Sequence, residues 1–129
     1  MNIEKIKSEL KMESFYFLEC FISRNAIIEN GALTMDLEKE INELDDGKYS
    51  VKLTLIVNKE KKDLNVRVVA EGMFSMDNSD AELVRSIMNT NAVAIMFPFI
   101  RSQVSLLTTQ PGMTPIIIPP INTTKFKAK

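Results

Sequence analysis

Apolar and polar residues alternate with period two through the middle of the chain. Tyr49, Val51, Leu53, Leu55 and Val57 share one parity, with Lys52 and Thr54 on the other. After a charged turn at residues 58–63, Leu64, Val66, Val68 and Ala70 alternate with Asn65, Arg67 and Glu71. Alternation of this kind sends one set of side chains to a single sheet face, so the two runs are predicted to be antiparallel hairpin neighbours. An earlier run has the same pattern: Leu33, Met35, Leu37 and Ile41 alternate with Thr34, Asp36, Glu38 and Glu40, and Asp45-Asp46-Gly47 supplies the turn that follows. Residues 14–23 (SFYFLECFIS) are bulky on both parities, and Glu19 is their one charge. That suits a strand covered on both faces, or one buried in an oligomer contact. Ahead of it Ile3, Ile6 and Leu10 recur at helical spacing. This leaves two readings, a short helix over residues 2–11 or an extended N-terminal arm over residues 1–12.

The period changes after Gly72. Ser79 and Asp80 can cap a helix whose inner positions include Leu83, Val84, Ile87 and Met88, and Glu82 stands at capping-box spacing from Ser79. A second helix is predicted from Ala92 to about Thr109, interrupted or begun afresh near Pro98, because proline removes the bond to the carbonyl four residues back. Pro111-Gly112 ends it. Residues 113–122 (MTPIIIPPIN) hold three prolines, so they are extended and unsuited to an interior strand. Residues 125–129 read as a solvated basic tail.

Length and charge narrow the function classes. A chain of 129 residues is one domain with one modest core. Sixteen Lys and Arg against 17 Asp and Glu give a formal charge of -1, which removes the broad positive field that nucleic-acid binding relies on. With no histidine and Cys20 as the only cysteine, an intramolecular disulfide, a classical zinc site and the usual Ser-His or Cys-His nucleophiles are excluded. There is no GxxxxGK[ST] loop or GxGxxG turn, so no cofactor is expected. Asp36, Glu38 and Glu40 on one strand face read as solvated surface rather than as an acid/base pair. Residues 29–46 carry seven acids against Lys39, and residues 48–67 carry six bases against Glu60 and Asp63. The asymmetry favours cross-strand pairing, with an acidic docking surface as the competing reading. The first twelve residues intersperse charges instead of opening into an apolar run, so no secretory leader is expected. The longest apolar run, residues 92–100, is nine residues long and about half a membrane span. A soluble cytoplasmic chain with reduced Cys20 follows from these readings.

One stretch is unusual. In the 33 residues 92–124, Arg101 is the only ionisable side chain. A helix exposed along one side is normally charged there. Three explanations stand: the helix is covered by the extended segment after it, it packs on a second copy, or part of its surface is kept open for apolar chains. Eight methionines suit adaptable packing.

Taken in order, these features resemble the SecB family of bacterial protein-export chaperones, from about Tyr49 to Phe126 with a vaguer match back to Phe15. The strand pair followed by Glu71-Gly72-Met73-Phe74-Ser75-Met76 is similar to the family's strand pair and its glycine-x-phenylalanine-serine end. Ile95-Met96-Phe97-Pro98-Phe99-Ile100-Arg101 resembles the apolar, Phe-Pro-Tyr, small-residue, Arg signature that opens the family's long helix. Pro111-Gly112, Pro115 and Pro120-Ile121-Asn122 resemble the Gly, Pro and Pro-Val-Asn of the segment that follows. Phe99 stands where tyrosine is usual and Ile100 where a small residue is.

The resemblance implies an α+β fold: a four-stranded antiparallel sheet with a long helix packed on one side, assembled as a dimer or a dimer of dimers. It implies an ATP-independent holdase for unfolded or non-native polypeptide, serving export or dedicated to one client such as the antitoxin of a toxin–antitoxin pair. A non-catalytic structural or adaptor protein is the alternative. No metal, cofactor, nucleic acid or integral membrane segment is implied. Client contacts are expected at Phe74, Met76, Met113, Ile116, Ile117 and Ile118, and an oligomer interface at Phe97, Ile100, Val104 and Leu107. The chain stops soon after Phe126, short of the final helix and tail that resemble features engaging the motor SecA, so that partnership is left open.

Overall fold

The alternating runs pair as expected. The computed structural model describes residues 10–25, 33–59 and 63–122, which leaves most of the N-terminal helix-or-arm reading and the basic tail outside the described residues. Strands β1 (Lys11–Arg24), β2 (Leu33–Glu43), β3 (Lys48–Lys59) and β4 (Leu64–Ser75) form one antiparallel sheet in the order β1-β4-β3-β2. The register sets Val51 opposite Gly72, Leu53 opposite Ala70, Leu55 opposite Val68 and Val57 opposite Val66, so two rows of apolar side chains lie on one face and are buried. Beyond β3, Leu37 pairs with Leu55 and Ile41 with Val51. The β2–β3 turn has Asp46 and Gly47 at φ 58° and 71°, the pair of positive angles a type I′ hairpin requires and the reason Asp-Gly suits it.

β1 departs from the expectation of a strand covered on both faces. It is an edge strand, and its pairing with β4 slips between Met12 and Ser14 and again between Phe17 and Glu19. The second irregularity inserts Leu18, so the inward parity is odd before it, at Phe15 and Phe17, and even after it, at Cys20 and Ile22. Both parities are bulky because each takes a turn facing in. Tyr16, Leu18 and Phe21 are left exposed on the outside.

The helical region is one run rather than two helices. α1 (Ala81–Ile87) passes through a π turn (Met88–Ala92) into α2 (Val93–Leu107). Asp80, not Ser79, is the cap, and its carboxylate accepts from the Leu83 amide at 3.2 Å. Pro98 is inside α2 without ending it; it lies on the exposed side, where the carbonyl it leaves without a helical partner is open to solvent. The irregularity falls earlier, at the π turn, where Asn89 and Thr90 side chains donate to the carbonyls of Arg85 (3.1 Å) and Ser86 (2.8 Å). By length and composition the 27-residue run is apolar enough to cross a bilayer, yet Val84, Ile87, Met88, Val93, Met96, Ile100 and Val104 are packed in the core with the sheet.

Gly72 is where the two layers come closest. A Cβ there would stand 2.7 Å from the Phe74 ring and 3.0 Å from the Met96 sulfur, so only hydrogen fits beneath α2.

Lys39 is the polar tie between the layers. It faces inward from β2, is 2% exposed, and donates through Nζ to the Asn89 carbonyl of the π turn at 3.2 Å. Burial pushes its ammonium below the ordinary lysine value of 10.5. Between that lowered value and 10.5 the unfolded chain holds a proton that the native chain has released, so Lys39 makes stability rise with pH across the window and fall as pH drops through the native value. Urea unfolding of the unmodified protein and Lys39→Gln from pH 8 to 10.5 is expected to show the unmodified protein gaining stability relative to the variant as pH rises. Parallel pH curves would contradict the assignment.

Candidate functional site

α2 meets its surroundings along distinct sides. Its underside, with Met96, Phe97, Ile100 and Val104, is buried. One flank faces β1: the Phe99 ring centroid is 5.1 Å from that of Phe15, and Gln103 Nε2 is 3.4 Å from Cys20 Sγ. Phe15 in turn meets Phe17 edge-on at 5.2 Å. The opposite flank carries Arg101, Ser105 and Thr108, whose spacing of four and three residues puts them in one row.

That row holds the segment after the helix. Gly112, at φ 73°, reverses the chain, and Arg24 Nη2 donates to the Pro111 carbonyl at 3.2 Å. Residues 113–122 then run back along α2 as a strap. Ser105 Oγ donates to the Ile116 carbonyl at 2.8 Å, the Ile116 amide donates to Thr108 Oγ1 at 2.8 Å, and Arg101 Nη1 donates to the Ile118 carbonyl at 3.4 Å. The Arg101 guanidinium also lies 5.9 Å from the Phe97 ring centroid. Ile116 is half-buried, Ile117 is 81% exposed and Ile118 is 6% exposed. This is strand-like alternation in a segment that belongs to no sheet.

The expected site residues divide accordingly. Met113, Ile116 and Ile118 pack toward the core from the strap, while Ile117 points away from it. Phe74 and Met76 are buried within the chain, not open to a client as expected, because the β4 end lies beneath the helical layer. Phe97, Ile100 and Val104, expected at an oligomer contact, are likewise core residues; α2 turns this side to its own sheet. Leu107 is half-buried. The open apolar row of α2 is instead Ile95, Phe99 and Leu106, with Leu106 66% exposed. Its helical spacing was visible in the sequence, but both rows are apolar, and hydrophobicity alone does not say which one meets a sheet.

The sheet face away from α2 carries polar pairs beside the exposed side chains of Tyr16, Leu18 and Phe21. Arg67 Nε is 3.3 Å from Glu19, and the Tyr16 hydroxyl donates to Glu71, which pushes that hydroxyl above its ordinary pKa. The register sets Glu40 opposite Lys52, in line with the expected attraction between the acidic and basic runs. No group of three or more His, Cys, Asp or Glu side chains is placed to hold a metal ion among the described residues.

Comparison with known proteins places this geometry. The family model described as preprotein translocase subunit SecB matches residues 9–128. An uncharacterised protein of Methanocaldococcus jannaschii is 30% identical over 95 residues, covering 70% of this chain and 61% of that protein. The protein-export protein SecB of Methylobacillus flagellatus is 27% identical over 125 residues, covering 94% of this chain and 77% of that one. Among solved structures, a Mycobacterium tuberculosis SecB-like chaperone in complex with a peptide from an antitoxin superposes with a TM-score of 0.74 at 10% identity, covering 90% of each chain. At that identity the likeness is one of fold.

The strap's alternation gives a direct check. Ile117→Ser should leave the unfolding free energy within about 0.5 kcal/mol, because the side chain is already in water. Ile118→Ser should cost about 2–4 kcal/mol, since it removes a buried branched side chain and buries a hydroxyl in its place. Chemical denaturation of the two neighbours decides it, and equal losses would place the strap elsewhere.

Proposed function

Because this chain belongs to the SecB family, we propose that it is an ATP-independent, non-catalytic holdase that keeps non-native polypeptide from aggregating, in the cytoplasm and as a homo-oligomer. The observation that carries the reading is the uncharged α2-and-strap surface, where Ile95, Phe99, Leu106 and Ile117 are all exposed. Apolar area of this kind on a soluble fold marks an interaction surface. Two uses divide it. The outer row of α2, Ile95, Phe99 and Leu106, serves contact with a second copy, as a dimer or a dimer of dimers. The strap segment, with Met113, Ile116, Ile117 and Ile118, marks the client site, with Phe74 and Met76 supporting it from the core. Leu107, half-buried at the end of α2, borders both.

Holding many sequences requires surfaces with few fixed polar anchors and adaptable side chains. Stretches of Ile, Phe and Met meet that requirement, and Arg101 is the only charge over residues 92–124. Binding at each site is moderate, because ordering a disordered client consumes part of the gain, and affinity grows when several sites of one assembly engage one chain. Preprotein export is the general form of this role. A role dedicated to one client is the second form, and the antitoxin peptide carried by the Mycobacterium tuberculosis structure favours it.

Two measurements test the proposal. In an aggregation assay with several slowly refolding clients and no nucleotide, the protein is expected to suppress light scattering at near-stoichiometric ratios; failure with every client would remove the general holdase role, and protection of one cognate client alone would select the dedicated form. For the assembly, Leu106→Asp is expected to keep the fold, since that side chain is 66% exposed, while lowering the mass measured by light scattering from an oligomer toward a monomer. An unmodified protein that is a folded monomer at micromolar concentration would reject self-association.

A further inference from the structure

The strap is bound to the molecule in an unusual way. Among the described residues, no backbone-to-backbone hydrogen bond joins residues 114–121 to any other segment. Their backbone is instead held by the row of side chains on α2: Ser105 donates to the carbonyl of Ile116, Thr108 accepts from the amide of the same residue, and Arg101 donates to the carbonyl of Ile118. Thr108 is fully buried and is fixed for this task, because its single hydroxyl proton is taken up within the helix, by the Val104 carbonyl at 2.8 Å or the Ser105 carbonyl at 3.2 Å, which leaves the oxygen free to accept. Between these anchors the Ile116 and Ile118 side chains point inward while Ile117 points out.

A sheet edge recognises an extended chain through its amides and takes specificity from alternate side chains. The α2 flank does the same with side chains in place of a neighbouring strand. What it grips in the strap is an amide, two carbonyls and a pair of branched aliphatic groups two residues apart, and all of these are common to extended apolar segments of any protein.

We propose that Arg101, Ser105 and Thr108 form a backbone-reading site for extended client segments, and that the strap occupies this site as an internal stand-in which a client displaces. The proposal rests on the holdase reading above and names its substrate class. The preferred segment is extended and uncharged, with branched aliphatic residues at positions i and i+2. Position i cannot be proline, because its amide must reach Thr108; the strap obeys this, with Pro115 before Ile116 and Pro119 after Ile118. As Ile116 is only four residues beyond the Gly112 reversal, the strap competes at high effective concentration. The apparent affinity for a client is therefore reduced by the fraction of molecules in which the flank is open.

The experiment loosens the strap while leaving the α2 row intact. Ile116→Pro removes the amide that Thr108 holds, and Ile116→Ala provides a milder variant if the first does not fold. The probe is a fluorescent, end-capped peptide with the sequence of residues 113–122. Folding and mass are confirmed by circular dichroism and light scattering. The peptide is expected to associate at least tenfold faster with either strap variant than with the unmodified protein. A peptide N-methylated at the residue matching Ile116 is expected to bind at least tenfold more weakly, and excess unmethylated peptide should abolish protection of a denatured client. Equal association rates with and without the loosened strap, or indifference to N-methylation, would overturn the backbone-reading site. Client protection that the peptide does not compete with would overturn displacement while leaving the holdase role standing. Peptide binding without protection of any client would reject the holdase role and the client assignment together.

Discussion

One geometric mismatch governs this fold: a single helix is too narrow for the sheet it must cover. Four strands at about 4.8 Å spacing make a face roughly 19 Å across, and a helix with its side chains is about 10 Å wide. The apolar rows of β3 and β4 are wider than the underside of α2 can bury. The remaining strips are closed by what lies on either flank of the helix, the aromatic side chains of β1 on one side and the strap on the other. Both closures are less regular than the centre. β1 needs a bulge, and the strap has no sheet partner. The least regular parts of the core therefore border its most apolar surface.

That arrangement explains what the sequence disclosed. β3 and β4 were legible because each buries one complete parity, so their alternation stands out despite Ile56 and Val69 on the other parity, and Asp-Gly fixed the turn ahead of them. The helical run was legible in extent but not in continuity: Pro98 signalled a break that an exposed position makes unnecessary, while the π turn is written in Asn89 and Thr90, residues with no strong helical signature. Lys39 read as a lone base in an acidic strand. Only the packing shows that it points inward to a carbonyl the π turn presents.

The site was legible in composition and not in orientation. An uncharged stretch around one arginine announced an apolar surface, and the family resemblance said what such a surface serves. Which residues are outside was another matter. Met96, Ile100 and Val104 are no more apolar than Ile95, Phe99 and Leu106, and a helix wheel with two greasy sides has no preferred direction until a sheet is placed against it. Ser105 and Thr108 carried still less signal, because small hydroxyl residues within a helix more often bond to their own backbone, as Thr108 also does to Val104.

The bulge at Leu18 makes β1 a strand with a change of phase in it. A one-residue deletion there would restore regular pairing with β4 from Ser14 onward, and would also rotate one half of the strand relative to the other: either Phe15 and Phe17 would turn to solvent, or Ile22 would. In most surface strands the loss of a single residue is absorbed by the nearest loop, whereas here the inserted residue works as a punctuation mark. Length variation in this part of the chain is thus confined to its two ends, and the spacing from Phe15 to Ile22 is as much a requirement of the fold as the identity of either residue.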